Sequence, residues 1–272
     1  MKKGIVFGTV RAALPDGTLA DQMALAAKSG FDGVELQHGA ERDFPETISK
    51  DGLNEIKDTA AEAGIELPSI MPAGQPIAGA TADERKSGRD VIVKVCECAA
   101  ELGAETVLIV PGRVSPEHPY GDLYKYTVEA MQELSGRIPE GVVLAVENVW
   151  NKFLYSPLEF ARIIDEIDRP NVKAYFDVGN VMAFGFPEQF IRELGGRIEK
   201  VHVKDYKTRN AGAAGFCNLL EGDVDFADVI KALGEAGYDG YITAEVSGYA
   251  RAKELGLKAI AEALDAIIRG EV

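Results

Sequence analysis

The chain has 272 residues, 46% of them hydrophobic, and its 44 acidic residues outnumber its 29 Lys and Arg residues to give a net charge of −15. A field of that sign repels phosphate backbones, and the sequence contains no basic block, so we expect no nucleic-acid partner. No apolar run is long enough to span a membrane, and the N-terminal run leads to no signal-peptide cleavage site. The three cysteines form no paired framework. We therefore expect a cytoplasmic protein, without membrane association, that acts on a small molecule.

In chain order, short apolar runs alternate with longer segments whose apolar residues recur at three- and four-residue spacing. Most of the short runs lack polar/apolar alternation, which is typical of strands buried on both faces of a parallel sheet. The predicted strands are Gly4–Gly8, Gly33–Gln37, Glu66–Ile70, Thr106–Val110, Val142–Glu147, Lys173–Asp177, Lys200–Val203 and Gly240–Val246. The predicted helices are Leu19–Ser29, Gly52–Ala63, Glu84–Leu102, Leu123–Arg137, Pro157–Ile167, Glu188–Leu194, Phe226–Ala236 and Arg251–Ile268.

A recurring phrase links these elements. KSGFDGVEL, ELGAETVLI and EAGYDGYITAEV each run from a helix end, through glycine, into a strand. Eight strand–helix units with no distinct edge strand favour a closed barrel over an open sheet, and such barrels commonly have about 250 residues. The sequence therefore predicts an α/β fold, a (β/α)8 TIM barrel, in a single domain that covers residues 1–272.

Hard metal ligands recur at the ends of four consecutive predicted strands, where barrels of this kind place their active sites. Strands five to eight present Glu147, Asp177, His202 and Glu245. Any one of them alone could be structural, with Asp177 as a helix cap or His202 as a core histidine. Together, however, three carboxylates would raise one another's pKa values and destabilise the fold unless a cation were present. The set predicts a divalent metal site, with Mn²⁺ as the best match and Mg²⁺, Co²⁺ or Zn²⁺ as alternatives.

The phrases GFDGVEL, AVENVW, FDVGN, VHVKD and ITAEV resemble, in order and position, the xylose-isomerase-like superfamily of sugar and sugar-phosphate isomerases and epimerases. The resemblance covers essentially the whole chain. Ketose 3-epimerases of this superfamily, with the L-ribulose-5-phosphate 3-epimerase-like branch beside them, have a Glu, Asp, His, Glu metal site that matches the four residues above. The resemblance implies that Glu147 and Glu245 are the catalytic general base and acid on opposite faces of the substrate carbon, with the metal as a Lewis acid. It also implies a homodimer or a homotetramer.

Two features relate the chain to particular branches. Asn180 stands where free-ketose epimerases usually have a histidine, and the phrase Glu221–Phe226 resembles sugar-phosphate epimerases and hydroxypyruvate- or inosose-processing enzymes. We expect 3-epimerisation of a ketose or ketose phosphate, with an inosose-type dehydratase or a hydroxypyruvate-type isomerase as the alternative. An endonuclease-four type phosphodiesterase needs a histidine-rich metal cluster, which a chain with three histidines and a charge of −15 is poorly equipped to form. The complete ligand set disfavours a non-catalytic binding module.

Further residues at predicted strand ends could hold the substrate. The resemblance assigns Arg209 a substrate contact, although it follows His202 by seven residues and not the usual six. Trp150 could form an apolar wall or cover the barrel rim, and Glu35 could orient the substrate or a neighbouring side chain. Arg113 and Lys152 are as readily solvated surface cations. The predicted substrate-binding residues are Glu35, His38, Trp150, Asn180, Lys204 and Arg209.

Overall fold

The computed structural model describes residues 1–74 and 76–272, and within them eight parallel strands form a closed barrel. Each barrel strand pairs with its neighbours in the chain, and the last one pairs with the first to close the sheet. The prediction of a (β/α)8 barrel is confirmed. The barrel strands are β1 (Lys2–Val6), β2 (Gly33–His38), β3 (Ser69–Pro72), β4 (Thr106–Ile109), β5 (Val143–Glu147), β6 (Val172–Asp177), β7 (Ile198–Val203) and β10 (Tyr241–Ala244).

Helices surround the barrel, and their ends follow capping chemistry. Thr18 and Thr81 each form a capping box with an acidic residue three positions later, which satisfies two first-turn amides reciprocally. No helix in the described ranges is long and apolar enough to cross a membrane. The helices are α1 (Phe7–Ala13), α2 (Leu19–Ser29), α3 (Lys50–Ala63), α4 (Ala82–Leu102), α5 (Tyr120–Ser135), α6 (Pro157–Ile167), α7 (Val178–Val181), α8 (Pro187–Leu194), α9 (Phe226–Glu235) and α10 (Lys253–Ile268).

The limits of the predicted strands differ from the observed ones by a few residues, and two of the differences have a clear physical reason. The first was expected to reach Gly8, but α1 begins at Phe7, because Phe7 and Val10 are buried at helical spacing and a short apolar run does not separate strand from helix. The third was expected at Glu66–Ile70, but β3 begins at Ser69. Pro68 has no N–H to donate to a sheet, which explains the later start.

Three short elements at the C-terminal end of the barrel were not predicted. They are the helix α1, the single-turn helix α7, and an antiparallel ribbon that consists of β8 (Asp205–Tyr206) and β9 (Phe216–Cys217). Each is too short for a periodic signal in the sequence. All of them follow barrel strands, so they build the walls around the strand ends.

The interior of the barrel contains a small apolar cluster separate from the main core. Its buried members are Leu108, Ala145 and Tyr175. The Tyr175 hydroxyl donates to Glu35 Oε2 at 2.6 Å and lies 3.3 Å from Ser69 Oγ, so β6 is joined to β2 and β3 across the barrel. These contacts close the barrel interior on the side of Glu35.

Candidate metal centre

The four predicted metal ligands meet at the C-terminal end of the barrel. Glu147 and Asp177 are the last residues of β5 and β6, His202 lies one residue before the end of β7, and Glu245 directly follows β10. The pairing of β6 with β7 places Asp177 beside His202. One possible ligand atom from each residue lies within 4.8 Å of the others. Parallel strands of one barrel therefore bring together residues that are far apart in the sequence.

The cluster is closed on the barrel side and open on one other side. Asp177 and His202 have no exposed surface, and Glu147 is 6% exposed. The side chain of Glu245, in contrast, is 33% exposed. Any ligand from solvent must therefore approach the cluster past Glu245.

Glu35 fixes the orientation of the His202 ring. Its Oε1 lies 2.8 Å from His202 Nε2, and its Oε2 accepts hydrogen bonds from Ser69 and Tyr175, both at 2.6 Å. With Nε2 as the donor to Glu35, Nδ1 on the other side of the ring is the candidate ligand atom. Nδ1 lies 3.0 Å from Glu147 Oε1 and 4.0 Å from Glu245 Oε2. A buried carboxylate behind a histidine ligand is a common way to orient it towards a metal.

The two carboxylate oxygens of Asp177 have different partners. Its Oδ1 accepts from the Asn180 amide at 2.7 Å and so caps α7, the role that the sequence suggested as an alternative. Asn148 holds the Asp177 backbone from both sides, with two hydrogen bonds of 2.8 Å. The second oxygen, Oδ2, is buried and makes no hydrogen bond, although Lys204 Nζ lies 2.7 Å away as an ion pair. Capping thus fixes the carboxylate and leaves Oδ2 for the cluster.

Lys204 supplies a positive charge within the cluster. Its ammonium pairs with Asp177 and Glu245 and lies 5.0 Å from the centre of the Phe216 ring. Its stem packs over Gly179, where a Cβ would lie 2.4 Å from Lys204 Cγ and 2.8 Å from its carbonyl oxygen. Glycine at this position in the DVGN phrase therefore allows the lysine to approach.

The pKa values in the cluster move in opposite directions. Burial raises the pKa of Glu147 to about 7 and also raises that of Asp177. At Glu245 burial acts in the same sense, but Lys204 and His202 outweigh it and lower the pKa. At His202 burial favours the neutral ring, yet the Glu35 and Glu147 carboxylates hold the pKa well above its usual value. The two glutamates therefore lie in environments that separate their proton affinities.

The donor set matches a divalent cation. Three carboxylates and one imidazole offer mostly oxygen ligands with one nitrogen, which suits Mn²⁺, Mg²⁺, Co²⁺ or Zn²⁺. Lys204 provides one positive charge for the three carboxylates, and a divalent ion would neutralise the remaining negative charge. The residues present thus fit the predicted metal site.

The other predicted substrate-binding residues lie at different depths. Trp150 donates to the Asn180 carbonyl at 2.8 Å and stacks against Phe216 at 4.7 Å, so it forms an aromatic wall. The side-chain amide of Asn180 donates to the Asn148 carbonyl at 2.9 Å. His38 is 2% exposed and packs edge-on against Phe44.

Arg209 and Glu35 lie at the two extremes of exposure. Arg209 is exposed in the loop between β8 and β9, next to Thr208 and Asn210, which line a neighbouring cavity that Arg209 itself does not line. Glu35 is fully buried under His202. Its contacts fit the second of its predicted roles, the orientation of a neighbouring side chain.

The sequence did not single out Arg11 and Arg42. Both line a cavity of about 500 Å³ that is also bordered by Lys204, Phe216 and Glu245. Arg11 lies on α1, whose first two residues were assigned to the predicted first strand. A sequence signal was available, because any residue shortly after a barrel strand reaches the C-terminal end of the barrel.

Comparison with known proteins agrees with the fold. A family model described as "xylose isomerase-like TIM barrel" matches residues 23–268. SgbU of Escherichia coli (strain K12), provisionally named as an L-ribulose-5-phosphate 3-epimerase, is 26% identical over 87% of this chain and 86% of its own. A protein of Mycobacterium leprae (strain Br4923), provisionally named as an endonuclease 4, is 24% identical over 80% of this chain and 86% of its own.

Among solved structures, a D-tagatose 3-epimerase-like protein superposes with a TM-score of 0.79, covering 100% of both chains at 22% sequence identity. At that identity the likeness concerns the fold. The match of the family model over most of the chain confirms the resemblance that the strand-end phrases indicated, and with it the prediction of an enzyme of this superfamily.

Proposed function

Since the chain belongs to the xylose isomerase-like TIM barrel family, we propose that it is a metal-dependent sugar or sugar-phosphate isomerase or epimerase. More specifically, we propose that it epimerises a ketose or ketose phosphate at C3. The observation that carries the proposal is the placement of two glutamates, Glu147 and Glu245, around His202 Nδ1 in one four-residue cluster.

Glu147, Asp177, His202 and Glu245 would hold the metal, and we expect Mn²⁺ in that role. When bound, a divalent ion would act as a Lewis acid that makes a proton next to the substrate carbonyl easier to remove. Glu35 would keep His202 Nδ1 directed at the ion, and the α7 cap would keep Asp177 Oδ2 there.

The two glutamates would exchange the proton. A carboxylate on one face of the carbon removes the proton, and the acid form of the other returns a proton to the opposite face, which inverts the centre. Glu147 is almost fully buried, so water has little access to its proton, whereas Glu245 lines the open cavity. The separated pKa values of the two groups suit one base and one acid near neutral pH.

The relatives support a sugar substrate more than a nucleic acid. Two of the proteins reported above carry ketose 3-epimerase names, one of them for a sugar phosphate. An endonuclease activity is the rival, because relatives with that name also align. The cluster found in the described residues contains one histidine, and a net charge of −15 opposes approach of a phosphate backbone.

Hydrogen exchange tests the proposal directly. Metal-loaded protein is incubated in D₂O with a panel of ketoses and ketose phosphates, and NMR records new species and deuterium uptake. We expect deuterium at C3 together with the C3 epimer, and no epimer with the Glu147→Gln variant carrying the same metal. Exchange at C1 with formation of an aldose would instead indicate an aldose–ketose isomerase. Absence of exchange with every panel member would contradict the proposal, and cyclic polyol ketones would then test for a dehydratase.

A further inference from the structure

Cationic side chains outnumber acidic ones in the lining of the cavity next to Glu245. Three cationic side chains line it, Arg11, Arg42 and Lys204, and Glu245 is the acidic residue among its described lining residues. The chain as a whole carries a net charge of −15. The two guanidinium groups in this lining can form direct charge-assisted hydrogen bonds with an anion.

Arg11 is held towards this cavity by a buried acid. Its Nη1 lies 3.4 Å from Oδ1 of Asp43, whose side chain is 2% exposed. Asp43 is itself anchored to β2, since its Oδ2 accepts a hydrogen bond of 2.6 Å from the backbone N–H of Gln37 on that strand. This ion pair is the contact that the structure gives to the Arg11 guanidinium, so most of the five guanidinium donors are not engaged by residues 1–74 and 76–272.

Arg42 lines the same cavity, and its charge acts on Asp43 from a distance. Within the described part of the chain, its side chain makes no hydrogen bond or ion pair. Its stem is nevertheless packed, because a Cβ on Gly39 would lie 3.1 Å from Arg42 Cγ, and its amide donates to the Gly39 carbonyl at 3.1 Å. Arg42 is exposed, its stem lies against Gly39, and its guanidinium donors remain available.

We propose that Arg11 and Arg42 form a subsite for a terminal oxyanion of the substrate, either a phosphate monoester or a carboxylate. Guanidinium groups match the planar, bidentate geometry of both anions. The cavity is continuous with the metal centre through Glu245, the most exposed of the four candidate ligands, and about 500 Å³ is within the usual range for small-molecule sites. The identification of the substrate as a sugar rests on the proposed function, whereas the binding of an oxyanion is argued from the cavity itself.

A second cationic cavity provides a matched control. Arg113 and Lys152 line it together with Trp150 and Tyr206, but none of the four candidate metal ligands does. A substrate that reaches the metal centre therefore passes Arg11 and Arg42, not Arg113. Substitutions at Arg113 remove a cation from a comparable aromatic cavity without affecting the subsite.

Anion binding by the metal-loaded protein tests the subsite without turnover. Inorganic phosphate and glycolate are titrated calorimetrically into the parent, Arg42→Met, Arg11→Met/Arg42→Met and the control Arg113→Met. The same metal is present throughout, so its own affinity for the anions is constant across the series. Arg42→Met keeps the Arg11–Asp43 pair intact and so preserves the local fold.

We expect the double variant to bind the preferred anion about tenfold to a hundredfold more weakly, the loss of charge-assisted hydrogen bonds, while Arg113→Met binds as the parent does. Weaker phosphate binding assigns a phosphate monoester, and weaker glycolate binding alone assigns a carboxylate. Unchanged binding of both anions in the double variant, or an equal loss in Arg113→Met, would overturn the subsite. The titrations test the subsite, and the deuterium exchange at C3 tests the epimerase proposal. Because the two experiments are separate, failure of one proposal can be distinguished from failure of the other.

Discussion

Lys200 and Lys204 lie on one stretch of chain at opposite ends of the barrel, and both are at least nine-tenths buried. Lys200 pairs with its neighbour Glu199 at 3.2 Å. The cavity at that end is lined by Lys2, Lys57 and Lys200 and by Glu66, Glu105 and Asp239, three charges of each sign. Lys204, in contrast, lies among Asp177, Glu147 and Glu245, with Glu35 behind His202.

The difference separates a structural end of the barrel from a chemical one. At the N-terminal end, charges are balanced in pairs that remain partly exposed, such as Lys2 with Glu66 at 2.7 Å. At the C-terminal end, acids are buried in excess of the cations that accompany them, which destabilises a protein unless a further cation binds. The following predictions test this contrast, beginning with the largest expected effect.

Substitution of either glutamate should remove activity and leave the fold intact. Glu147→Gln or Glu245→Gln keeps the size of the side chain but cannot transfer the proton, and general acid–base groups contribute about a hundredfold to ten-thousandfold. We expect the rate of C3 epimer formation to fall by at least about a thousandfold, with unchanged circular dichroism. Glu66→Gln, at the other end, should retain the parental rate. Full activity in either cluster variant would reject the two-glutamate mechanism.

Lys204→Met should lower stability and increase the effect of metal. Removal of one member of a buried ion pair typically costs about 3–5 kcal/mol, because the remaining carboxylates lose their counter-charge. Urea unfolding in chelator should show this loss, and added Mn²⁺ should stabilise the variant more than the parent because the ion replaces the missing charge. Lys200→Met should show no such dependence on metal. Equal stabilisation by Mn²⁺ in both variants would contradict the role of Lys204.

Asp43 and Glu66 should affect the pH dependence of stability in opposite directions. Burial raises the pKa of Asp43 to about 6, above its ordinary 3.8, so the folded protein keeps a proton between about pH 4 and pH 6 that the unfolded chain has lost. The parent loses that stabilisation as the pH rises through 6, because Asp43 then loses its proton. The Asp43→Asn variant has no such proton, so its stability does not change for this reason. The free energy of unfolding of this variant, relative to the parent, should therefore rise by about 3 kcal/mol from pH 4 to pH 7.

At Glu66 the hydrogen bonds from Lys2 and Tyr241 lower the pKa, so its contribution is present above the unfolded pKa and is lost on acidification. Glu66→Gln relative to the parent should thus become less stable as the pH rises, by less than about 1 kcal/mol for an exposed pair. Urea unfolding at pH 4, 5, 6 and 7 measures both slopes. Slopes of the same sign would show that the two acids are not in contrasting environments.

Glu35→Gln should weaken metal binding although Glu35 is not one of the four candidate ligands. The carboxylate uses one oxygen for His202 Nε2 and the other for Tyr175, whereas a glutamine amide has only one acceptor oxygen. The imidazole therefore loses its fixed orientation. Loss of such a partner typically lowers metal affinity by about tenfold to a hundredfold. Calorimetric titration with Mn²⁺ measures the change, and the conservative Glu35→Asp variant should recover part of it. Parental affinity in Glu35→Gln would remove Glu35 from this role.

The barrel was predictable from the alternation of eight strands and helices. The four-residue cluster was predictable because its residues lie at the ends of those strands. Glu147, Asp177 and His202 follow or end apolar runs that are visible in the sequence, and a closed parallel barrel brings such positions together. Their joint appearance, rather than any single residue, indicated the metal site. The limits of individual strands were less accurate where a proline or a short apolar run intervened, as at Pro68 and Phe7.

The contacts behind and around the cluster were not predictable in the same way. That Glu35 meets His202 and not the substrate depends on how far each side chain extends across the barrel. Arg11 was missed because α1 merges with β1 in the hydrophobic pattern, and Arg42 because it lies in a loop without periodicity. Arg209 was chosen by its spacing from His202, but the β8–β9 ribbon, which the sequence does not reveal, determines where that loop leads.

The seam between the first and last barrel strands has a consequence for how the protein is made. Thr9 donates to the carbonyl of Val246, the residue after Glu245, across 237 positions of the chain at 2.7 Å. The last of the four ligands is therefore held in place by the first helix. Contacts of such long sequence separation form late in folding, since loop-closure entropy must be overcome first. In the proposed metal site, three of the four candidate ligands would be synthesised before this contact can form, and tight metal binding would mark the closure of the barrel.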